Sequence, residues 1–414
     1  MLSKRFTSNL LFFVTLFPYL TLVNIGTDTQ PNAVFLAGII FIWCLLTQRT
    51  KMPKELLSVL LVSLYAISLY LITSRQFYGF RSLIGYLSVF LISFASYKTH
   101  KYVEPKVYIF AVHVYLLFGI IQLVYNPSFG GSLLPRSSFS FARGSGVISL
   151  TSEPSFYAIM CIFLLILNEL FFYTGRYNKR IFIYIRLVLV FQAIITYSGM
   201  GLFMLGLYFF IVLIRYFLQS FDKLLSLPIL LGIILGIPGL FVHLHLSNVN
   251  IATSTRMAAL LNLFIKSPFQ IFYIDHSLAA RTSHILLSMY SLLYSKGFGL
   301  GLGTWPDNIG LLAASAGGCL EEITYIRFTV GRIMSGWGTA VYELGFVGLI
   351  LPITFWRAAK KGYQNCSCIH LQYWFISSFV IIFIIMLMAI SLAHPPFSYL
   401  FGVFLHYAYH SDGQ

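Results

Sequence analysis

Arg143 and Glu153 stand ten residues apart in RGSGVISLTSEPS, linked through the flexible Gly144-Ser145-Gly146, just before a long run of Phe, Leu and Ile. A guanidinium is a planar fork that grips phosphate or carboxylate, and a carboxylate can orient or deprotonate a hydroxyl. The pair predicts a small site for an anion and a hydroxyl. Arg281 and His284 form a second pair, at i and i+3 in a polar stripe with Ser277, Ser288, Ser291 and Ser295. That spacing puts them on one face of a helix. His284 has the more useful pKa for a general base, whereas Glu153 at a helix start is a weak base better suited to orienting. Both remain candidates. Arg136 and Arg256 can support the anion, and Glu343 is a carboxylate about 10 Å inside an apolar run. A carboxylate there marks a functional site, or else pairs with an arginine and pins its helix. Plainer readings also exist: Glu153-Pro154 as an ordinary helix start, and 277–295 as a simple interfacial helix.

The elements that must position these residues follow from composition. The 414 residues are 58% hydrophobic and only 9% charged, with a mean hydropathy of +0.83. Soluble domains carry about 25% charged residues, so the solvent for this chain is lipid. The expected fold is all-α and polytopic, with about twelve transmembrane helices. Spans 1–5 fall in 1–125 and spans 6–9 in 154–243, while spans 10–12 and the tail occupy 336–414. Between them lie an outer loop at 126–153 and a larger, partly helical outer loop at 244–335. The last span, 396–409, is short and follows Pro395-Pro396.

Lysine and arginine set the orientation. Loops on one side hold basic residues from Lys4 and Arg5 through Arg176, Lys179, Arg180 and Arg215 to Arg357, Lys360 and Lys361. Arg186 is expected to snorkel from the same side. This makes both termini cytoplasmic and explains most of the +15 net charge, which therefore does not imply a nucleic-acid partner. The outer basic residues are mostly arginine (Arg75, Arg81, Arg136, Arg143, Arg256, Arg281, Arg327 and Arg332), a bias that topology alone does not require. KGFGLGLGTWP (296–306) lacks the dinucleotide-binding glycine spacing and predicts close backbone packing or approach to a ligand. The five cysteines have no framework spacing and predict neither a disulfide nor a metal site.

An arginine followed by Ser152-Glu153-Pro154-Ser155 at the opening of a central span resembles the Wzy family of O-antigen and exopolysaccharide polymerases. ITYSGMGLFMLGLYFF (194–210) is similar to that family's hairpin between two spans. ARTSHILLSMYSLLYSKGFGLGLG (280–303) resembles its large-loop arginine helix, and YELGFVGLILP (342–352) its Glu-Leu-Gly span start. The related O-antigen ligases carry a histidine before that span, where this chain reads GRIMSGWGTAVYELG with Ser335 and Gly336.

The resemblance implies a multi-pass glycosyltransferase of the bacterial inner membrane, with the long loop between spans 9 and 10 in the periplasm. Its substrates would be undecaprenyl-pyrophosphate-linked glycans, joined with release of undecaprenyl pyrophosphate. It implies Arg143 and Arg281 on the pyrophosphate, with Arg136 and Arg256 in support, Glu153 or His284 on the incoming hydroxyl, and Glu343 binding substrate. No cofactor or metal is implied, and the sequence has no Asp-x-Asp pair. A chain-length-regulating protein is an implied partner beside the lipid bilayer. The alternatives are an O-antigen ligase and a lipid-linked oligosaccharide flippase or other transporter, whose ionisable residues would lie near the midplane.

Overall fold

The computed structural model describes residues 4–21, 29–47, 51–73, 77–135, 146–220, 262, 266, 276–317 and 333–410. All secondary structure among these residues is helical. The helices are α1 (Lys4–Leu16), α2 (Asn32–Thr47), α3 (Lys54–Thr73), α4 (Phe77–Thr99), α5 (Pro105–Val124), α6 (Pro154–Tyr173), α7 (Lys179–Ile195) and α8 (Gly199–Ser220). They continue as α9 (His276–Tyr294), α10 (Trp305–Ala316), α11 (Gly336–Leu344), α12 (Ile350–Asn365), α13 (Ile369–Met388) and α14 (Pro395–Tyr409). Among the described residues seven stretches are long and apolar enough to cross a membrane: α3, α4, α5, α6, α8, α11 with α12, and α13. The end of the 154–243 block, where the ninth span is expected, lies outside the described residues, as does nearly all of 244–275.

Two helices form the centre. Every residue of α6 from Tyr157 to Phe171 is buried, and α14 is buried continuously from Pro395 to His406. A helix apolar all round belongs inside a bundle. This accounts for the short last span: α14 is solvated by its neighbours, chiefly α4 and α12, so the width of a bilayer does not set its length. Small residues let α14 approach α4 closely. Ser93 and Ser96 donate hydroxyls at 2.8 Å to the carbonyls of Ser398 and Tyr399. Around this centre α2, α3 and α5 turn Phe35, Ile39, Leu46, Ile72 and Leu117 outward, an apolar belt suited to lipid.

One end of the bundle gathers the starts of α6 and α14 and the end of α1, with the segments 19–21, 146–153 and 389–394. There the amide of Thr21 donates to Leu133 at 2.9 Å, and that of Val147 to Ile195 at 3.2 Å. Gln122 accepts from the amides of Ile148 and Ser149, which fixes the approach to α6. This is the site end. At the opposite end Glu104 pairs with Arg5 and hydrogen-bonds Asn9.

The structure corrects the sequence reading in three places. Arg215 does not lie in a loop: it belongs to α8, is buried, and donates to Glu169 of α6 at 2.6 Å. Arg186 does not snorkel, but turns inward to the same carboxylate at 3.8 Å and packs over Phe182, Tyr208 and Phe209. The first span of the 336–414 block, expected as one helix, is broken at Gly345, whose φ is +61°, and resumes as α12 after a 3-10 turn over Gly345–Leu349.

Candidate functional site

The break after α11 leaves carbonyls that need donors, and the glycine-rich segment supplies them. The amides of Leu300 and Gly301 donate to Tyr342 and Glu343 at 2.8 and 3.2 Å. Close backbone packing, one of the two expectations for this segment, is therefore observed. The same segment delivers the Gly303 amide to the Glu343 carboxylate at 2.9 Å. Gly303 has φ of +72°, and a Cβ there would come within 2.3 Å of the Gly79 nitrogen, so only glycine permits the approach.

Glu343 is buried and held by two further donors, Ser82 Oγ at 2.5 Å and Tyr86 Oη at 2.8 Å, both from α4. The carboxylate is held by hydroxyls and an amide, not by the arginine that one sequence reading offered. It lies at the edge of a groove of about 700 Å³ between α2 and α4. The walls are apolar, with Val34, Phe35, Ile39, Ile42, Leu87 and Leu91, whereas one end is polar, with Gln30, Arg81, Ser82, Ser391 and Glu343. From Phe77 to Leu91 along α4 the groove runs roughly 20 Å at about 1.5 Å per residue. Phe35 and Ile39 on its rim are 67% and 66% exposed, so it opens sideways onto the apolar belt.

A second cavity, of about 20 Å³, shares Thr29, Ile333 and Ser391 with the groove. It has room for about one water. Glu153, Arg281 and His394 line it, with Tyr19 and Phe156. Each arrives through local helix geometry. Glu153 is the N-cap of α6 before Pro154, yet its side chain makes no capping hydrogen bond. His394 is the N-cap of α14 before Pro395. Arg281 projects from α9, and its Nη1 donates at 2.9 Å to Met388, in the last turn of α13, where a cation suits the helix C-terminus. The His394 ring is 1% exposed, lies against Phe163 at 5.3 Å and sits 3.3 Å from Tyr19 Oη through Nε2. Burial pushes its imidazole down to about 3, so the ring is neutral.

Of the sequence-predicted site residues, Glu153 and Arg281 therefore meet in one cavity, and Glu343 lies at the edge of the neighbouring groove. Arg136, Arg143 and Arg256 lie outside the described residues. His284 lines neither cavity. Its Nδ1 accepts from the Met334 amide at 3.0 Å, and its ring sits edge-on to Trp305. The polar stripe does form on α9, but it faces inward: Ser283, Ser288 and Ser291 are buried as the helix packs on α11. Sequence reasoning missed His394 and Tyr19. The available signal was a histidine directly preceding Pro395-Pro396, a position where a polar side chain at a helix start is readily enclosed.

Comparison with known protein-family models finds no match, and comparison with curated proteins finds none either.

Proposed function

We propose that this protein is a membrane glycosyltransferase that polymerises a surface polysaccharide, such as O-antigen, from undecaprenyl-pyrophosphate-linked repeat units. The site end then faces the periplasm across the inner membrane, both termini are cytoplasmic, and the chain has about twelve spans with its long periplasmic loop between spans 9 and 10. The observation that carries this reading is the adjacency of a sideways-opening apolar groove to a small cavity lined by Arg281 and Glu153. A lipid tail of polyprenyl type suits the groove, and a phosphate at its head suits the arginine-bearing end.

In this mechanism Arg281 and Arg81, with Arg143, Arg136 and Arg256, oppose charge on the departing pyrophosphate. The hydroxyl of the incoming unit attacks the anomeric carbon of the growing chain, and a carboxylate accepts its proton. Glu343 anchors the glycine segment beside the groove and binds substrate there. A chain-length-regulating protein is the partner this reading implies.

A transporter is the second reading, because Glu169, Arg186 and Arg215 lie within apolar helices, the position where ion and substrate pathways place charge. Polymerisation is favoured because that carboxylate is fully engaged by Tyr208 and the arginines, whereas the groove and cavity cluster at one end. Deleting the gene and resolving surface polysaccharide on a gel tests the proposal. Caps of one repeat unit are expected. Loss of all capping with accumulation of lipid-linked polymer would instead indicate a ligase, and trapped cytoplasmic-side units a flippase.

A further inference from the structure

Glu169 of α6 faces two arginines, Arg215 of α8 and Arg186 of α7, and one carboxylate balances only one of them. Arg215 is the one it balances. Its Nη1 donates to Oε2 at 2.6 Å, and Tyr208 donates to Oε1 at 2.7 Å, so both carboxylate oxygens are taken. Arg186 approaches that carboxylate at 3.8 Å, beyond hydrogen-bond reach, and makes no hydrogen bond among the described residues. The rings of Phe182, Tyr208 and Phe209 lie 5.5, 5.9 and 5.6 Å from its guanidinium. They attract the charge but accept none of its in-plane N–H groups.

We propose that the seam between α7 and α8 binds an anionic membrane phospholipid, with the Arg186 guanidinium holding the headgroup phosphate. The seam lies away from the groove: α6 starts at the site end, and Glu169 stands near its other end. The assignment requires only that the chain spans a membrane, and it stands whichever reaction the site end performs.

Level, charge and shape agree on that ligand. Helical side chains lean toward the N-terminus, and Arg186 does so, packing over Phe182 one turn nearer the start of α7. The guanidinium therefore sits about 4–5 Å along the axis from Lys179, from a rise of about 1.5 Å per residue. That is the level of headgroups rather than of acyl chains. A guanidinium there with no anion to accept from it is costly, and phosphate matches its fork. Lys179 and Arg180, exposed at the same helix start, add positive potential.

The neighbours of Arg186 on the outer surface are apolar. Ile183 precedes it by one turn, Phe209 lies against its guanidinium, and Leu213 follows Phe209 on α8, all three exposed. Acyl chains would cover these side chains, and a free phosphate would not. The Arg186 side chain keeps 27% of its surface exposed, so a phosphate can reach the fork from the lipid side. Lys179 and Arg180 are free to meet any headgroup. Arg186, held among three rings, offers one fixed position, and binding there is saturable.

The test follows thermal melting of the full-length protein in a neutral detergent as phosphatidylglycerol, phosphatidylcholine or inorganic phosphate is added. Phosphatidylglycerol is expected to raise the melting temperature saturably, and each of the other two to give less than about a third of that rise. Arg186→Gln is expected to raise the half-saturating phosphatidylglycerol concentration about tenfold, and Arg180→Gln less than about threefold. If Arg186→Gln does not accumulate in membranes, Arg186→Lys decides: it keeps the charge, loses the planar fork and should raise the same concentration several-fold. An unchanged half-saturation in the Arg186 variant, or an equal effect of Arg180→Gln, overturns the assignment. So does an equal response to phosphatidylcholine, whereas full stabilisation by inorganic phosphate would show a free-anion site and overturn the lipid.

Discussion

Arg215 Nη1 donates to Glu169 Oε2 at 2.6 Å, an ion pair buried where α8 crosses α6. Tyr208 donates to the other carboxylate oxygen at 2.7 Å, and Arg215 also reaches Tyr173 and Ser377, so the pair ties α6, α8 and α13 together. Breaking such a pair strands a charge in a medium that cannot solvate it. Arg215→Ala should therefore cost about 3–5 kcal/mol and lower the melting temperature in detergent by many degrees. Glu169→Gln keeps the shape and should lower it less. An unchanged melt in Arg215→Ala would mean that the pair does not brace the bundle.

Gly303 is the tightest point of the glycine segment. Gly303→Ala places a methyl group against the backbone of Gly79 at a positive φ, so the segment must lift and the amide leaves Glu343. The expected cost is about 1–3 kcal/mol, seen in thermal melting, with polymer yield falling further than stability. Wild-type values for both would show that the approach is dispensable.

The groove can be filled without touching a charged group. Gly38 faces it from α2, and a Cβ there meets only Leu91, at 3.9 Å. Gly38→Phe should preserve folding while raising the KM for the lipid-linked substrate roughly tenfold or more. Steady-state kinetics in proteoliposomes checks this, and an unchanged KM would remove the groove from the substrate path.

How far the sequence led can be judged at these sites. The helical class was legible, and so were the seven apolar stretches of bilayer length among the described residues, because such runs have few other solutions. The stripe from Arg281 to Ser291 correctly gave a helix, but its facing could not be read: a polar stripe suits an interface with headgroups or a buried contact with α11 equally well. Glu169 and Arg215 are 46 positions apart and sit in apolar runs, so nothing local announces that they pair. Glu153 stood out because Pro154 follows it. His394 did not, since its enclosure depends on Tyr19 and α6 converging on it, a relation that no spacing within one segment encodes.

The neutral His394 ring has a pH consequence. Its folded value of about 3 lies below the 6.5 of a free imidazole, so protons bind the unfolded chain more readily. Its contribution to stability is complete above about pH 6.5 and is lost as the pH falls from there toward 3. At pH 5 the loss is about 2 kcal/mol, from ~1.4 kcal/mol per pH unit. The drop in melting temperature between pH 7.5 and 5 should be smaller in His394→Gln than in the wild type. Equal drops would show that His394 is not held neutral.

The most direct measurement follows the purified wild-type protein in proteoliposomes given only undecaprenyl-pyrophosphate-linked repeat units, with polymer length read on a gel and released undecaprenyl pyrophosphate quantified. Polymerisation predicts a ladder, one undecaprenyl pyrophosphate for each new linkage, and loss of both in Arg281→Ala at normal protein level. Units that stay single, with no carrier released, would contradict it.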